Sequence, residues 1–192
     1  MKLIAGLGNP GKRYSGTRHN VGFDVIDGLS ERFDAALKRS WRFNGRLGRA
    51  RVGSEDALLL KPLTYMNLSG ASIAAVLRYR KLDVRDLIVV VDDASIDFGR
   101  IRIRPKGSSG GHNGLQSIIN EVGSEQFTRV RLGVGDTPNR RLKDHVLGRF
   151  GPSETAPAQD MIRQGIEAVV CIIDSGSDAA MNTFNVAPAE GS

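Results

Sequence analysis

The chain has 192 residues, 40 % of them hydrophobic, and a formal net charge of +6 from 27 Lys and Arg against 21 Asp and Glu. That length suits one domain with its own core, and a single cysteine, Cys171 in the apolar run AVVCIID, excludes an internal disulfide framework. No run approaches the ~20 apolar residues of a membrane span, the opening MKLIAGLG is short for a secretory leader, and the basic balance favours a polyanionic partner, so a cytoplasmic protein acting on nucleic acid is expected.

KLIAGLG (2–8) reads as a short buried strand, and NPGKRYSGTRHN as a loop punctuated by Asn-Pro and two glycines. From Asn20, a candidate N-cap, Val21, Val25, Ile26, Leu29 and Phe33 recur at helical spacing. WRFNGRLGRARV (41–52) alternates as a strand, and ALLLKP (57–62) is a second buried strand that Pro62 stops. A helix is expected over SGASIAAVLRYRKL (69–82), then the most hydrophobic strand, LIVVVDDAS (87–95), ending on paired aspartates. GRIRIRPK (99–106) alternates strictly, GSSGGHNG (107–114) is a glycine-rich loop, and LQSIINEVG (115–123) is a helix with Asn113 as its cap. FTRVRLGVG (127–135) alternates again, a basic segment occupies 139–149, and a long helix over 153–175 precedes a turn of helix near 178–184. Strands interleaved with helices, with no dividing linker, imply an α/β fold: one sandwich domain over residues 1–192, its twisted mixed β-sheet flanked by helices, with a disordered tail from about 186.

GLGNPG (6–11) matches the G-x-G-x-x-G fingerprint of dinucleotide sites. That fingerprint needs a helix starting inside the motif, so that its N-terminus meets the pyrophosphate. Here Pro10 and the polar run through Gly16 delay helical periodicity to about residue 20, and Asp24 and Asp27 fall inside that helix. A dinucleotide-binding enzyme remains the remote alternative.

Four polar residues sit where loops are expected at strand ends: Asn9, Asn67, Asp92 and Asn113. Open α/β sheets place their sites at such edges. His19, one of three histidines, precedes the first helix and can face the same crevice. A histidine held by a carboxylate can take a proton from water, and asparagines, both donor and acceptor, suit peptide amides or a developing oxyanion.

Taken in order, GLGNPG, TRHNVGFDVID, KPLTYMNLSG, DDAS with FGRIRIR, GGHNGLQSI, FTRVRLGVG and the FN of NTFN resemble the bacterial-type peptidyl-tRNA hydrolases over nearly the whole chain. The resemblance implies a monomeric hydrolase, free of metal and cofactor, that cleaves the ester between a peptide and tRNA in peptidyl-tRNA. By that resemblance His19 activates water, Asp92 orients it, and Asn9, Asn67 and Asn113 position the peptidyl group and stabilise the transition state. Tyr14, Met66, Gly110, Gly111 and His112 match substrate-pocket positions.

Period two puts Arg100, Arg102, Arg104 and Lys106 on one face of their strand and Ile101 and Ile103 on the other; Arg129 and Arg131 repeat the device. The resemblance assigns Arg102, Arg104 and Arg131 to a clamp on the tRNA end and its 5′-phosphate; the basic residues Arg140, Arg141 and Lys143 are expected to extend that footprint along the acceptor stem. Ser95 stands where most relatives carry aspartate, Asp97 where proline is common, and Ser109 where histidine or glycine is usual. The DDAS variant is similar to plant chloroplast members, one branch of which is a splicing factor without hydrolase activity, so a catalytically silent RNA-binding module is the alternative.

Overall fold

The computed structural model describes residues 1–135 and 142–185, with the backbone alone at 142–144. Among the described residues the strands are β1 (Lys2–Gly6), β2 (Lys38–Ser40), β3 (Gly45–Val52), β4 (Glu55–Pro62), β5 (Leu87–Asp93), β6 (Ile101–Arg104) and β7 (Thr128–Gly133). The helices are α1 (Val21–Arg32), α2 (Ser69–Arg80), α3 (Asn113–Val122), α4 (Leu142–Leu147) and α5 (Thr155–Phe184). One sheet holds all these strands in the order β2-β3-β4-β1-β5-β7-β6. β1 runs parallel to β4 and β5, and β5 to β7; β2, β3 and β6 pair antiparallel with their neighbours. The expected α/β sandwich with a mixed sheet is the observed fold.

Helices cover both faces, which explains why β1, β4 and β5 read as continuous apolar runs rather than alternations. On one face Val21, Val25 and Leu29 of α1 and Met161, Val169 and Ile172 of α5 pack on Ile4, Leu59 and Val90. On the other, Ile73 and Leu77 of α2 and Leu115 and Ile118 of α3 pack on Leu3, Leu58 and Val89. α1 lies so close to β1 that a Cβ on Gly6 would sit 2.0 Å from the Gly22 carbonyl oxygen. Gly6 and Gly8 of GLGNPG are thus spent on contact with α1, Gly11 turns the chain at φ +108°, and two 3₁₀ turns (Lys12–Tyr14, Arg18–Asn20) separate the motif from α1. The geometry of a pyrophosphate loop is missing.

Four local expectations change. The strand expected over 41–52 is a hairpin: β2 and β3 are joined by a turn at 41–44, with Asn44 at φ +44°. The cap of α3 is the His112 side chain, and Asn113 is the first helical residue. Asn20 starts α1 but its side chain makes no capping bond. The two C-terminal helical segments adjoin in α5, broken at Gly176, whose φ of +88° no other side chain adopts readily. The tail from about 186 lies outside the described residues.

Candidate active site

Parallel β1, β4 and β5 end at one edge of the sheet, and the segments leaving them wall a cavity of about 740 Å³. Asn9, Tyr14, His19, Met66, Asn67 and Asp92 line it, joined from the far side by Gly110, Gly111, His112, Asn113 and Arg131. Tyr65, Asp93, Ser95, Val146 and Leu147 also line it.

β5 delivers Asp92, only 3 % exposed, to the cavity floor. His19 Nδ1 lies 2.8 Å from each Asp92 carboxylate oxygen, and His112 Nε2 lies 3.2 Å from Oδ1. Burial pushes the Asp92 carboxyl up, but hydrogen bonds from His112 and His19 outweigh it and hold the group well below the usual carboxylate range. An ionised carboxylate only accepts, so both histidines donate to it. His112 is fixed independently: its Nδ1 accepts the amide N–H of Gly114 at 3.1 Å and of Leu115 at 3.3 Å, which puts its proton on Nε2. His19, protonated on Nδ1, keeps a free lone pair on Nε2.

The loop holding His19 is anchored from two sides. Arg18, 8 % exposed, donates through Nη2 to both Glu154 carboxylate oxygens at 2.9 and 2.7 Å and through Nη1 to the Arg149 carbonyl at 2.6 Å. Asn20 turns inward instead of capping α1. Its Oδ1 accepts the Asn9 N–H at 2.8 Å and its Nδ2 donates to the Asn9 carbonyl at 3.0 Å. Asn9 Oδ1 in turn accepts the Met66 N–H at 2.9 Å, so the Asn9 amide NH₂ is the end left for a ligand. Asn20 ties the histidine loop to the amide donor across ten residues of irregular chain. Sequence reasoning missed this role, because a polar residue at a helix start reads as a cap.

Asp93, the second of the paired aspartates, had no role read from the sequence. Its Oδ1 accepts the Ser95 N–H at 2.9 Å and the Ser95 hydroxyl at 2.7 Å, and its Oδ2 lies 2.6 Å from Arg131 Nε as an ion pair off the hydrogen-bond direction. Ser95 therefore serves Asp93 and the rim, and has no bond to Asp92.

The arginine faces divide. Arg102 and Arg104 are exposed on β6 opposite buried Ile101 and Ile103, and line a second groove of about 330 Å³ with Arg100, Asp97 and Asn185. On β7 the same alternation is partly covered by the loop after β6, with Gly107 against the Arg129 guanidinium and Gly110 against that of Arg131, whose side chain stays about a fifth exposed. Arg129 is 1 % exposed with its guanidinium 4.1 Å from the Phe127 ring centroid, and burial foremost lowers its pKa to about 10. Arg131 stands in the cavity wall beside Asp93. Arg140, Arg141 and the Lys143 side chain lie outside the described residues.

A family model described as peptidyl-tRNA hydrolase matches residues 3–191. Peptidyl-tRNA hydrolases of Lachnospira eligens and Clostridium novyi are 46 % and 47 % identical, covering 96 % of this chain and 100 % and 98 % of the relatives. The crystal structure of peptidyl-tRNA hydrolase from Acinetobacter baumannii is similar with a TM-score of 0.92 at 33 % identity, over 97 % of this chain and 95 % of that one.

Proposed function

The chain belongs to the peptidyl-tRNA hydrolase family and is a hydrolase of peptidyl-tRNA, and we propose that His19 is its general base, oriented by Asp92, with Asn9 as the amide donor to the reacting carbonyl. The observation that carries this assignment is the His19–Asp92 contact at 2.8 Å on the floor of the cavity. Water held at His19 Nε2 gives up its proton as its oxygen attacks the ester carbonyl carbon. The imidazolium that forms is balanced by Asp92, already ionised, and no covalent enzyme intermediate is needed. The carbonyl oxygen gathers negative charge and takes a hydrogen bond from the Asn9 NH₂. Collapse breaks the bond to the tRNA ribose, whose oxygen receives the proton from His19, and the peptide leaves with a new carboxyl group.

Asn67 and Asn113, on opposite sides of the cavity, bind the amides of the peptidyl chain, with Tyr14, Met66, Gly110, Gly111 and His112 forming its walls. Arg102 and Arg104 pair with the tRNA phosphates, and Arg131 closes the cavity on that side. The water is activated without a metal. His19, Asp92 and His112 form the one His/Asp group of metal-binding spacing among the described residues. His112 Nδ1 accepts hydrogen bonds from two amide N–H groups, so Nε2 carries the ring hydrogen and has no lone pair for an ion. The enzyme works as a monomer in the cytoplasm. Supporting that reading, the substrate of this family is peptidyl-tRNA, a product of translation.

His19→Ala tests the assignment. With purified peptidyl-tRNA as substrate, turnover falls by about 10²–10⁴-fold while tRNA binding is retained, and dialysis of the wild type against a chelator changes nothing. Near-wild-type turnover by the variant removes His19 from the chemistry. A wild type that binds peptidyl-tRNA without hydrolysing it supports the silent RNA-binding alternative.

A further inference from the structure

The β2–β3 hairpin lies at the same sheet edge as the cavity, since Gly45 pairs with Pro62 and the Leu63 N–H donates to the Asn44 carbonyl at 2.8 Å. Its turn carries Trp41, the one tryptophan of the chain, 79 % exposed. The Arg39 guanidinium sits 3.8 Å from the Trp41 ring centroid, so one face of the indole is stacked on a cation and the other is open. Nearby, at the end of α2, Tyr79 is 52 % exposed; Arg42 lies 4.2 Å and Arg80 5.5 Å from its ring. Buried Phe43 packs at 5.5 Å against Tyr79 and holds the hairpin turn to α2.

The charge here has no local counterpart. No acidic residue occurs between Asp34 and Glu55, or between Asp56 and Asp83. Among the described residues, Arg39, Arg42 and Arg80 enter no ion pair. An indole with one face free and a half-exposed phenol, each with guanidinium groups in place, match a ligand that offers flat π-faces and phosphates at short, regular spacing. An acidic peptide would use the cations and leave the rings idle. An anionic lipid surface would favour an apolar wedge rather than rings already stacked on arginine.

We propose that Trp41 and Tyr79, with Arg39 and Arg42, form a docking surface for unpaired RNA, separate from the tRNA-phosphate contacts assigned to β6. The surface does not depend on His19 or on the water-activation scheme.

Trp41 is its own reporter. A single-stranded RNA of about ten nucleotides, with no self-pairing, quenches its emission on titration as bases stack on the indole. Trp41→Ala and Tyr79→Ala each weaken binding of the labelled oligonucleotide by about five-fold or more, the lower end of what loss of one base–aromatic stack gives; Trp41→Phe retains most of it. Trp41→Ala hydrolyses saturating peptidyl-tRNA at the wild-type rate, and His19→Ala binds the oligonucleotide as the wild type does. Unchanged oligonucleotide binding by Trp41→Ala overturns the proposal. So does equal competition by inorganic polyphosphate, which marks a merely basic face. Phosphatidylglycerol vesicles that shift Trp41 emission to the blue, where RNA leaves it unaltered, assign the face to membrane and also overturn it. A wild type inactive on peptidyl-tRNA whose Trp41 is still quenched refutes the catalytic assignment and leaves this surface standing.

Discussion

Asn20 offers the most direct test of how the site is held. Asn20→Ala removes a donor and an acceptor that serve the backbone of Asn9, at 3.0 and 2.8 Å, in a place where Asn20 is 5 % and Asn9 8 % exposed. Each backbone group left buried without a partner costs about 1–3 kcal/mol, and for a chain of this size every kcal/mol lowers Tm by about 2–4 °C. The variant is therefore clearly less stable, yet still folds if the parent has ordinary stability. Its effect on rate is separable. With its splint gone, the Asn9 NH₂ drifts from the reacting carbonyl, and a displacement of 1 Å costs about 10²-fold. At a temperature where the variant is fully folded by circular dichroism, kcat on peptidyl-tRNA falls ten-fold or more, and KM, governed by the tRNA contacts, moves far less. Asn20→Asp keeps the acceptor for the Asn9 N–H but turns a carboxylate oxygen on the Asn9 carbonyl in a buried place, so it is no milder than Asn20→Ala. A folded Asn20→Ala whose kcat stays within two-fold of wild type would show that the tie is structural only, and the positioning argument fails.

Asp24 supplies a pH test. Burial foremost, opposed by Lys61 and reinforced by Asp27, raises its carboxyl to about 6 from an ordinary 3.8. A folded value above the unfolded one means the native state holds the proton more tightly, so stability declines as pH rises through that window. Asn in its place removes the charge, and urea unfolding shows Asp24→Asn more stable than wild type by about 1–3 kcal/mol at pH 8, with the gain vanishing near pH 3.5; an equal difference at both pH values refutes the burial argument. Arg102→Ala, at an exposed position, weakens binding of different tRNAs alike and lowers the slope of log K against log salt by about one; discrimination between tRNAs would mean the face reads sequence. Ser95→Asp sets a carboxylate beside Asp93 rather than Asp92, so turnover changes by less than about ten-fold, under ~1.4 kcal/mol of barrier. A wild type that is inert until Ser95→Asp is introduced would place the chain with non-hydrolytic relatives.

What the sequence determined by itself was whatever depends on near neighbours along the chain. The apolar runs of β1, β4 and β5, the 3.6-residue spacing of α1, the glycine break in α5 and the motifs carrying His19, Asp92 and the three asparagines could all be read without coordinates, because periodicity and chain-breaking residues act locally. Tertiary structure alone decided what depends on which segments meet. Lys38–Ser40, short and charged, becomes a strand only because β3 pairs with it. His112 displaces Asn113 as the cap of α3, and its other ring nitrogen reaches Asp92 from a strand twenty residues away in sequence. Asn20 gives up its helix to hold Asn9. The same alternation that leaves Arg102 exposed buries Arg129, since period two shows which side chains share a face of a strand, but which segment folds over that face, here the loop after β6 with Gly107 against Arg129, is decided by long-range packing.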